Sequence, residues 1–212
     1  MLKKKNYLTQ AERLQFTLPT QLNEILVGLL LGDLFARKRG QAGNTYLFFI
    51  QGLVHKDYLD HLYDLFKAYC MSTPKIYDVK PHKKTGKVYS GIRFTTYSLP
   101  CFNYYHNIFY PAGKKVVPLN IGELLTPLSL AYWIADDGGF DKSTGRIRLS
   151  TNSFTLEEVN LLASILNKKW DLKCAVHYNN GHVINIAARS VPAVQALLKD
   201  IMPSMMKHKI GL

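Results

Sequence analysis

Apolar residues gather in two short continuous runs, Leu26-Val27-Gly28-Leu29-Leu30-Leu31-Gly32-Asp33 and Leu130-Ala131-Tyr132-Trp133-Ile134-Ala135-Asp136-Asp137-Gly138, each reaching an aspartate at its end. Asp33 and Asp137 stand 104 residues apart in a chain of 212, which reads as one folding unit written twice. Neither run has the about 20 apolar residues of a membrane span. Both are too continuous for a half-exposed helix, so each predicts a helix buried on all sides. Small residues four apart, Gly28 and Gly32 in the first run and Ala131 and Ala135 in the second, would let two helix backbones approach closely.

Between these landmarks the halves read alike. After Asp33 come Arg37, Lys38, Arg39 and Gly40, then a strand over Tyr46–Gln51 and a helix over Lys56–Cys70. Two strands follow, Lys75–Val79 and Val88–Thr95, joined by the Lys83-Lys84-Thr85-Gly86-Lys87 tip. The second half repeats this with a strand over Arg146–Thr151, a helix over Thr155–Lys168 and strands flanking Asn180-Gly181, a strong hairpin signal. Ser98-Leu99-Pro100 and Ser190-Val191-Pro192 each open a helix that runs to a proline thirteen residues after the serine, Pro111 and Pro203. Thr126-Pro127 caps the second core helix, and Thr20 is expected to cap the first. Each half is thus helix, strand, strand, helix, strand, strand, helix. The expected fold is α+β, a pseudo-two-fold duplicated αββαββα with antiparallel β-saddles. Its parts are a basic extension over 1–20, an N-terminal half over 21–115, a linker over 116–125 and a C-terminal half over 126–212.

Charge adds a partner. With 27 Lys and Arg against 15 Asp and Glu, the net charge of +12 points to a polyanion, because each neutralised phosphate releases counterions. At 47% hydrophobic and 12% aromatic residues the chain can bury a sizeable core, which excludes a disordered basic tail. Cys70, Cys101 and Cys174 show neither disulfide nor zinc spacing, so an intracellular, reducing compartment is expected, and no membrane. Met1-Leu2-Lys3-Lys4-Lys5-Asn6 has no apolar stretch behind it, unlike a secretory signal. His55 and His61, six apart, have poor spacing for chelation.

Chemistry concentrates at the two aspartates. A carboxylate in the last turn of a helix opposes the helix dipole by roughly 0.3–1 kcal/mol, and two such carboxylates brought together repel further. A divalent cation removes both problems. Each half then ends in bases, Lys114-Lys115 in the first and Lys207-His208-Lys209 in the second, which could stand beside the acids or merely complement a helix end. Gln51 and Asn152 are expected at matching positions after the first long strand of each half, where an amide could position water.

Strand periodicity nominates a nucleic-acid surface. In Arg146-Ile147-Arg148-Leu149-Ser150 charged and apolar residues alternate, so one face packs on a helix and the other presents arginines. Arg37, Lys38, Arg39, Lys80, Lys83, Lys84, Lys87, Arg93, Lys142, Lys173, His177, Tyr178 and Asn179 occupy comparable strands or tips, as phosphate contacts or as readers of base edges. Two halves covering one helical turn each would span about 20 base pairs at about 10 per turn. Because the halves differ, the target is expected to be asymmetric.

The two aspartate-ended runs resemble the motifs of the LAGLIDADG homing endonucleases in their single-chain, two-motif form. The likeness to the I-SceI-type intron endonucleases runs through Lys114-Lys115-Val116-Val117-Pro118, Leu125-Thr126-Pro127-Leu128-Ser129-Leu130-Ala131-Tyr132-Trp133, Asp136-Asp137-Gly138-Gly139 and Ser153-Phe154-Thr155-Leu156-Glu157-Glu158-Val159. It covers roughly Leu22 to Leu212. The resemblance implies a monomer that hydrolyses one phosphodiester in each strand of double-stranded DNA, leaving short 3′ overhangs. It also implies Mg²⁺ held by Asp33 and Asp137, with the carbonyls of Gly32 and Asp136 completing the shell, Mn²⁺ substituting and Ca²⁺ binding without cleavage. Lys115 and Lys209 would stabilise developing charge, with Lys207 as the alternative to Lys209, since the serine-to-lysine spacing of the first half lands there. A register shifted by one would make Asp136 the ligand and align Ala131 and Ala135 with Gly28 and Gly32. An intron-encoded protein, organellar in location, is implied too. The alternatives are an intron RNA maturase and a non-catalytic DNA-binding protein on the same fold.

Overall fold

A computed structural model describes residues 7–40, 42–78, 86 and 88–212. Its internal contacts divide the chain into two units, Met1–Pro19 with Leu34–Asn107, and Thr20–Asp33 with Ile108–Leu212. The first core helix therefore groups with the second unit, where it finds the surface that buries it.

The first unit opens with α1 (Gln10–Leu14), whose start is fixed by a reciprocal capping box between Thr9 and Glu12. After α2 (Thr20–Leu31), which belongs to the other unit, follow β1 (Phe35–Lys38), β2 (Thr45–Gly52), α3 (Lys56–Phe66), β3 (Lys75–Asp78) and β4 (Ser90–Thr95). The strands form one antiparallel sheet in the order β1-β2-β4-β3. Alternation in β2 sends Leu47 and Phe49 inward. There they meet the buried face of α3, Tyr58, Leu59, Leu62 and Phe66. Phe49 and Phe94 stack across the β2–β4 ladder at 4.3 Å. A 3₁₀ turn, Pro100–Phe102, leads into α4 (Asn103–Phe109). Helical structure thus begins at Pro100 and ends before Pro111, inside the bounds expected from the sequence.

The second unit packs α2 against α6 (Pro127–Asp137). From Ile25 to Leu31 every residue of α2 is buried, and each fully buried leucine contributes roughly 1.5–3 kcal/mol. Gly28 is there because of that contact, since a Cβ on it would lie 2.1 Å from the Ser129 carbonyl oxygen. Across that contact Gly28 faces the Ser129 backbone and Gly32 faces the Asp136 side chain. α6 starts with Pro127 behind the Thr126/Ser129 capping box, and the Thr126 hydroxyl donates to Glu24 at 2.6 Å.

The expected linker is packed structure. It forms α5 (Ile121–Leu124), buries Ile121 and Leu125, and donates from the Val117 N–H to Glu158 at 2.9 Å. Beyond α6 come β5 (Gly138–Asp141), β6 (Arg146–Leu149), α7 (Leu156–Trp170), β7 (Cys174–Tyr178), β8 (His182–Ile186) and α8 (Val191–Leu198), closed by a 3₁₀ segment, Ser204–Ile210. Their sheet has the order β5-β6-β8-β7, the same permutation as in the first unit. Thr155 and Glu158 cap α7 reciprocally, and its inner residues Val159, Leu162 and Leu166 cover this sheet. The fold is α+β with two four-stranded antiparallel sheets, as the sequence pattern implies. No helix among the described residues is long and apolar enough to cross a membrane.

Candidate active site

The second unit alone brings Asp33, Asp136, Asp137, Lys115 and Lys209 together. Because Gly32 has no side chain, the Asp136 carboxylate reaches over it and accepts a hydrogen bond from the Asp33 backbone N–H at 3.0 Å. Asp136 is thereby engaged in joining the two helix ends. Asp137 lies within electrostatic reach of Asp33, Lys115 and Lys209. Burial first, and the Asp33 charge second, push the Asp137 carboxyl from its ordinary 3.8 up to about 7, with the two lysines opposing the rise.

The lysines are held by the orphan carbonyls at the helix ends. Lys115 Nζ donates to Gly32 O at 2.7 Å, and Lys209 Nζ donates to Ala135 O at 2.6 Å and Asp136 O at 2.7 Å. Burial pushes the Lys115 ammonium down to about 8 despite the attraction of Asp137, Asp136 and Asp33. Burial lowers Lys209 as well. Gly32 and Asp136 are matched positions of the two motifs, so Lys115 and Lys209 make equivalent contacts. The serine-to-lysine spacing pointed to Lys207. The second half, however, reaches the site through the 3₁₀ segment Ser204–Ile210, which places Lys209 on the α6 carbonyls.

This geometry bears on two expectations. The carbonyls of Gly32 and Asp136, expected to complete a metal shell, each accept a lysine ammonium here. Asn152 was expected to match Gln51 and hold water. Its amide donates to Asn179 O at 2.8 Å and Asn180 O at 2.9 Å, pinning the β7–β8 hairpin. Sheet register explains the mismatch. Phe48 lies opposite Phe35, as Arg148 lies opposite Gly139, so counting onward matches Gln51 with Thr151, a buried residue whose hydroxyl donates to His182 O. Gln51 sits near the end of β2, half-buried, paired with Ile92.

The donor set fits a hard divalent ion. It offers two carboxylates that destabilise one another and no thiolate or imidazole, and Mg²⁺ takes few protein oxygens while keeping water and substrate phosphate in its shell. Among the described residues no group of three or more His, Cys, Asp or Glu is placed to hold a metal.

The outward faces of the two sheets differ. In the first unit Arg37 lies 5.3 Å from the ring centres of both Phe35 and Phe48, Arg39 5.8 Å from Tyr46 and Arg93 4.8 Å from Tyr77. The aromatic members of this face went unrecognised in the sequence, although Tyr46-Leu47-Phe48-Phe49-Ile50 carries them at alternate positions. Lys38 is not on that face; it is half-buried and donates to Asn107 at 2.9 Å. In the second unit Arg146 and the β5–β6 turn residue Lys142 are exposed. Arg148 lines an open cleft of about 520 Å³ with Asp137, Gly139, Asp141 and Ser150, its Nε buried without a hydrogen-bond partner. His177, Tyr178 and Asn179 are exposed along β7 and its hairpin, whereas Lys173 is ion-paired with Asp171. Lys80, Lys83, Lys84 and Lys87 lie outside the described residues.

A repeated strand order in two antiparallel sheets, with an acid-ended helix pair backed by one lysine from each half, defines the homing-endonuclease class of fold. The chain belongs to the LAGLIDADG DNA endonuclease family, whose model matches residues 23–194. It is similar to the cytochrome b mRNA maturase bI2 of Debaryomyces hansenii, 34% identical over 200 residues, covering 92% of this chain and 75% of that protein. It is also similar to the intron-encoded endonuclease ai4 of Dictyostelium discoideum, 36% identical over 160 residues, covering 71% and 99%. Among solved structures, the homing endonuclease I-WcaI bound to its DNA recognition sequence superposes with a TM-score of 0.85 at 29% identity, covering 92% of this chain and 88% of that one.

Proposed function

We propose that the protein is a site-specific homing endonuclease that hydrolyses one phosphodiester in each strand of a long, asymmetric DNA duplex, leaving short 3′ overhangs. The observation that carries this reading is the pairing of Asp33 with Asp137 between Lys115 and Lys209.

Asp33 and Asp137 are the residues that would hold divalent metal, Mg²⁺ by the oxygen character of the donors; when bound, it supplies Lewis-acid stabilisation of the attacking and leaving oxygens. Asp136 fixes the Asp33 backbone, so both carboxylates are held in place before substrate arrives. Lys115 and Lys209, oriented by the carbonyls they bind, present ammonium charge where the phosphate becomes more negative. Arg148, in the cleft beside Asp137, can donate to a phosphate oxygen. The outward arginines of both sheets supply phosphate and base-edge contacts along the duplex. Monomeric action fits two motifs in one chain, and the relatives' intron-encoded and cytochrome b mRNA names support an organellar intron product.

Cleavage of a randomised duplex library in Mg²⁺, with Ca²⁺ as the control for binding without cutting, tests the reading. Recovery of one long asymmetric site with staggered ends is expected. Binding without cutting in any divalent ion would overturn it. A maturase reading is favoured by one observation, the 34% identity to the Debaryomyces maturase across 92% of this chain. Binding of folded intron RNA as tight as that of duplex DNA would support it.

A further inference from the structure

Away from the aspartates, the first unit contains a cavity of about 90 Å³ whose walls include Arg13, Arg39, Ser72, Thr95, Tyr97 and Ser98. Among the described residues no carboxylate lines it. Two arginines among the walls of one small cavity bring positive charge that an anion would offset, and Arg donors match the oxygens of a phosphate. The volume equals the share of about three waters at about 30 Å³ each, enough for one tetrahedral anion.

The two arginines are held differently. Arg13 is preorganised, its Nε donating to Leu8 O at 3.3 Å and its Nη1 to Ser98 O. The segment carrying it is anchored by Phe16, whose ring lies 5.8 Å from Tyr69 and 6.4 Å from Tyr97, and by the Tyr69 hydroxyl, which donates to Thr17 O at 2.6 Å. Arg39 follows β1, exposed and resting over Tyr46, and a turn of its side chain would bring it onto a ligand in the cavity. Thr95 is the exposed ladder neighbour of Phe48, so the cavity lies at the margin of the outward face that carries Arg37, Arg39 and Arg93.

We propose that this cavity is a phosphate seat, formed jointly by the N-terminal segment and the first sheet, which grips one backbone phosphate of the nucleic acid lying on that sheet. The source of the phosphate rests on the duplex-binding reading above; the anion chemistry does not. Ser72, Thr95 and Ser98 supply hydroxyl donors around the two guanidiniums.

The test has two arms. In the first, duplex affinity is measured against salt concentration for the wild type, Arg39→Gln and Arg13→Gln. Losing one phosphate contact is expected to reduce the slope of log K against log salt by about 0.9, equally on unrelated sequences. Because Arg13 also ties down its own segment, Thr95→Val serves as a second variant. It keeps charge and volume, and about a tenfold loss of duplex affinity at unchanged slope and melting temperature is expected. In the second arm, melting is followed in inorganic phosphate against chloride at equal ionic strength. If phosphate stabilises the wild type but not Arg39→Gln, while the duplex slope is unchanged, the seat takes free phosphate and the nucleic-acid assignment is overturned. If neither the slope nor the phosphate response changes in Arg39→Gln, the seat itself is refuted. Failure of the wild type to bind any duplex would sink the endonuclease reading and leave the second arm to decide on the cavity.

Discussion

Asp137→Asn should make the metal-free protein more stable, although it removes a residue assigned to the site. In the folded chain burial and Asp33 raise the Asp137 carboxyl from 3.8 to about 7, so the folded state keeps a proton that the unfolded state releases between those pH values. Stability therefore falls as pH rises from about 4 to about 7, and the whole cost is present above about 7. A displacement from 3.8 to about 7 amounts to roughly 4 kcal/mol, with the attraction of Lys115 and Lys209 already included. Asparagine carries no such cost. Relaxation around the amide will reduce the gain, and at about 2–4 °C per kcal/mol for a chain of this size a rise in Tm of roughly 5–10 °C is expected in EDTA at pH 7.5. At pH 5 the wild-type carboxyl is largely protonated and most of the difference should vanish. Excess Mg²⁺ should narrow it too, because only the wild type retains both acids to bind the ion. Differential scanning calorimetry in these three buffers is the assay. An Asp137→Asn protein that melts no higher than the wild type in EDTA at pH 7.5, or whose advantage is undiminished at pH 5, would refute the reasoning.

Three further substitutions probe the site and its supports. Gly28→Ala would normally gain up to about 1 kcal/mol of helix propensity. Here the new Cβ meets the Ser129 carbonyl at 2.1 Å, so chemical denaturation should instead show a loss of about 1–3 kcal/mol. Lys209→Met should lower single-turnover cleavage by about 10²–10³-fold, as expected for a charge-stabilising group, while Lys207→Met should change it less than about threefold; the opposite ranking would mean that the spacing and not the hydrogen bonds identified the lysine. Arg148→Ala should slow nicking of one strand at least about tenfold more than the other, since Phe48 occupies its register position in the first sheet; equal slowing of both strands on a doubly labelled duplex would exclude a role specific to the Asp137 cleft.

The duplication was legible because it rests on periodicity. Two apolar runs, hairpin signals and proline-started helices recur in order, and the two sheets share one strand permutation. Short strands were harder to see. β1 and β5 have four residues each, too few for alternation to stand out, and β5 begins directly at the end of α6. Lys209 was reachable only as one of two alternatives, because the route from Pro203 to the site is longer than the route from Pro111 and chain spacing cannot measure a path through space. The contacts of Asn152 were hidden for a related reason: an amide after a strand can equally cap a neighbouring hairpin, and its donation to the Asn179 and Asn180 carbonyls joins segments distant in the chain. Arg13 gave no signal at all, since its significance comes from cavity walls distant in sequence, Ser98 above all.

The central claim is that Asp33 and Asp137 act as a pair in cutting both strands. The most direct measurement is cleavage of the selected duplex by the wild type, Asp33→Asn, Asp137→Asn and Asp136→Asn, with strand-specific labels and affinity measured in parallel in Ca²⁺. Loss of double-strand cleavage in Asp33→Asn and Asp137→Asn, at affinity within a few-fold of the wild type, is predicted, with a milder defect in Asp136→Asn. Double-strand cleavage at the wild-type rate by either of the first two variants would contradict it.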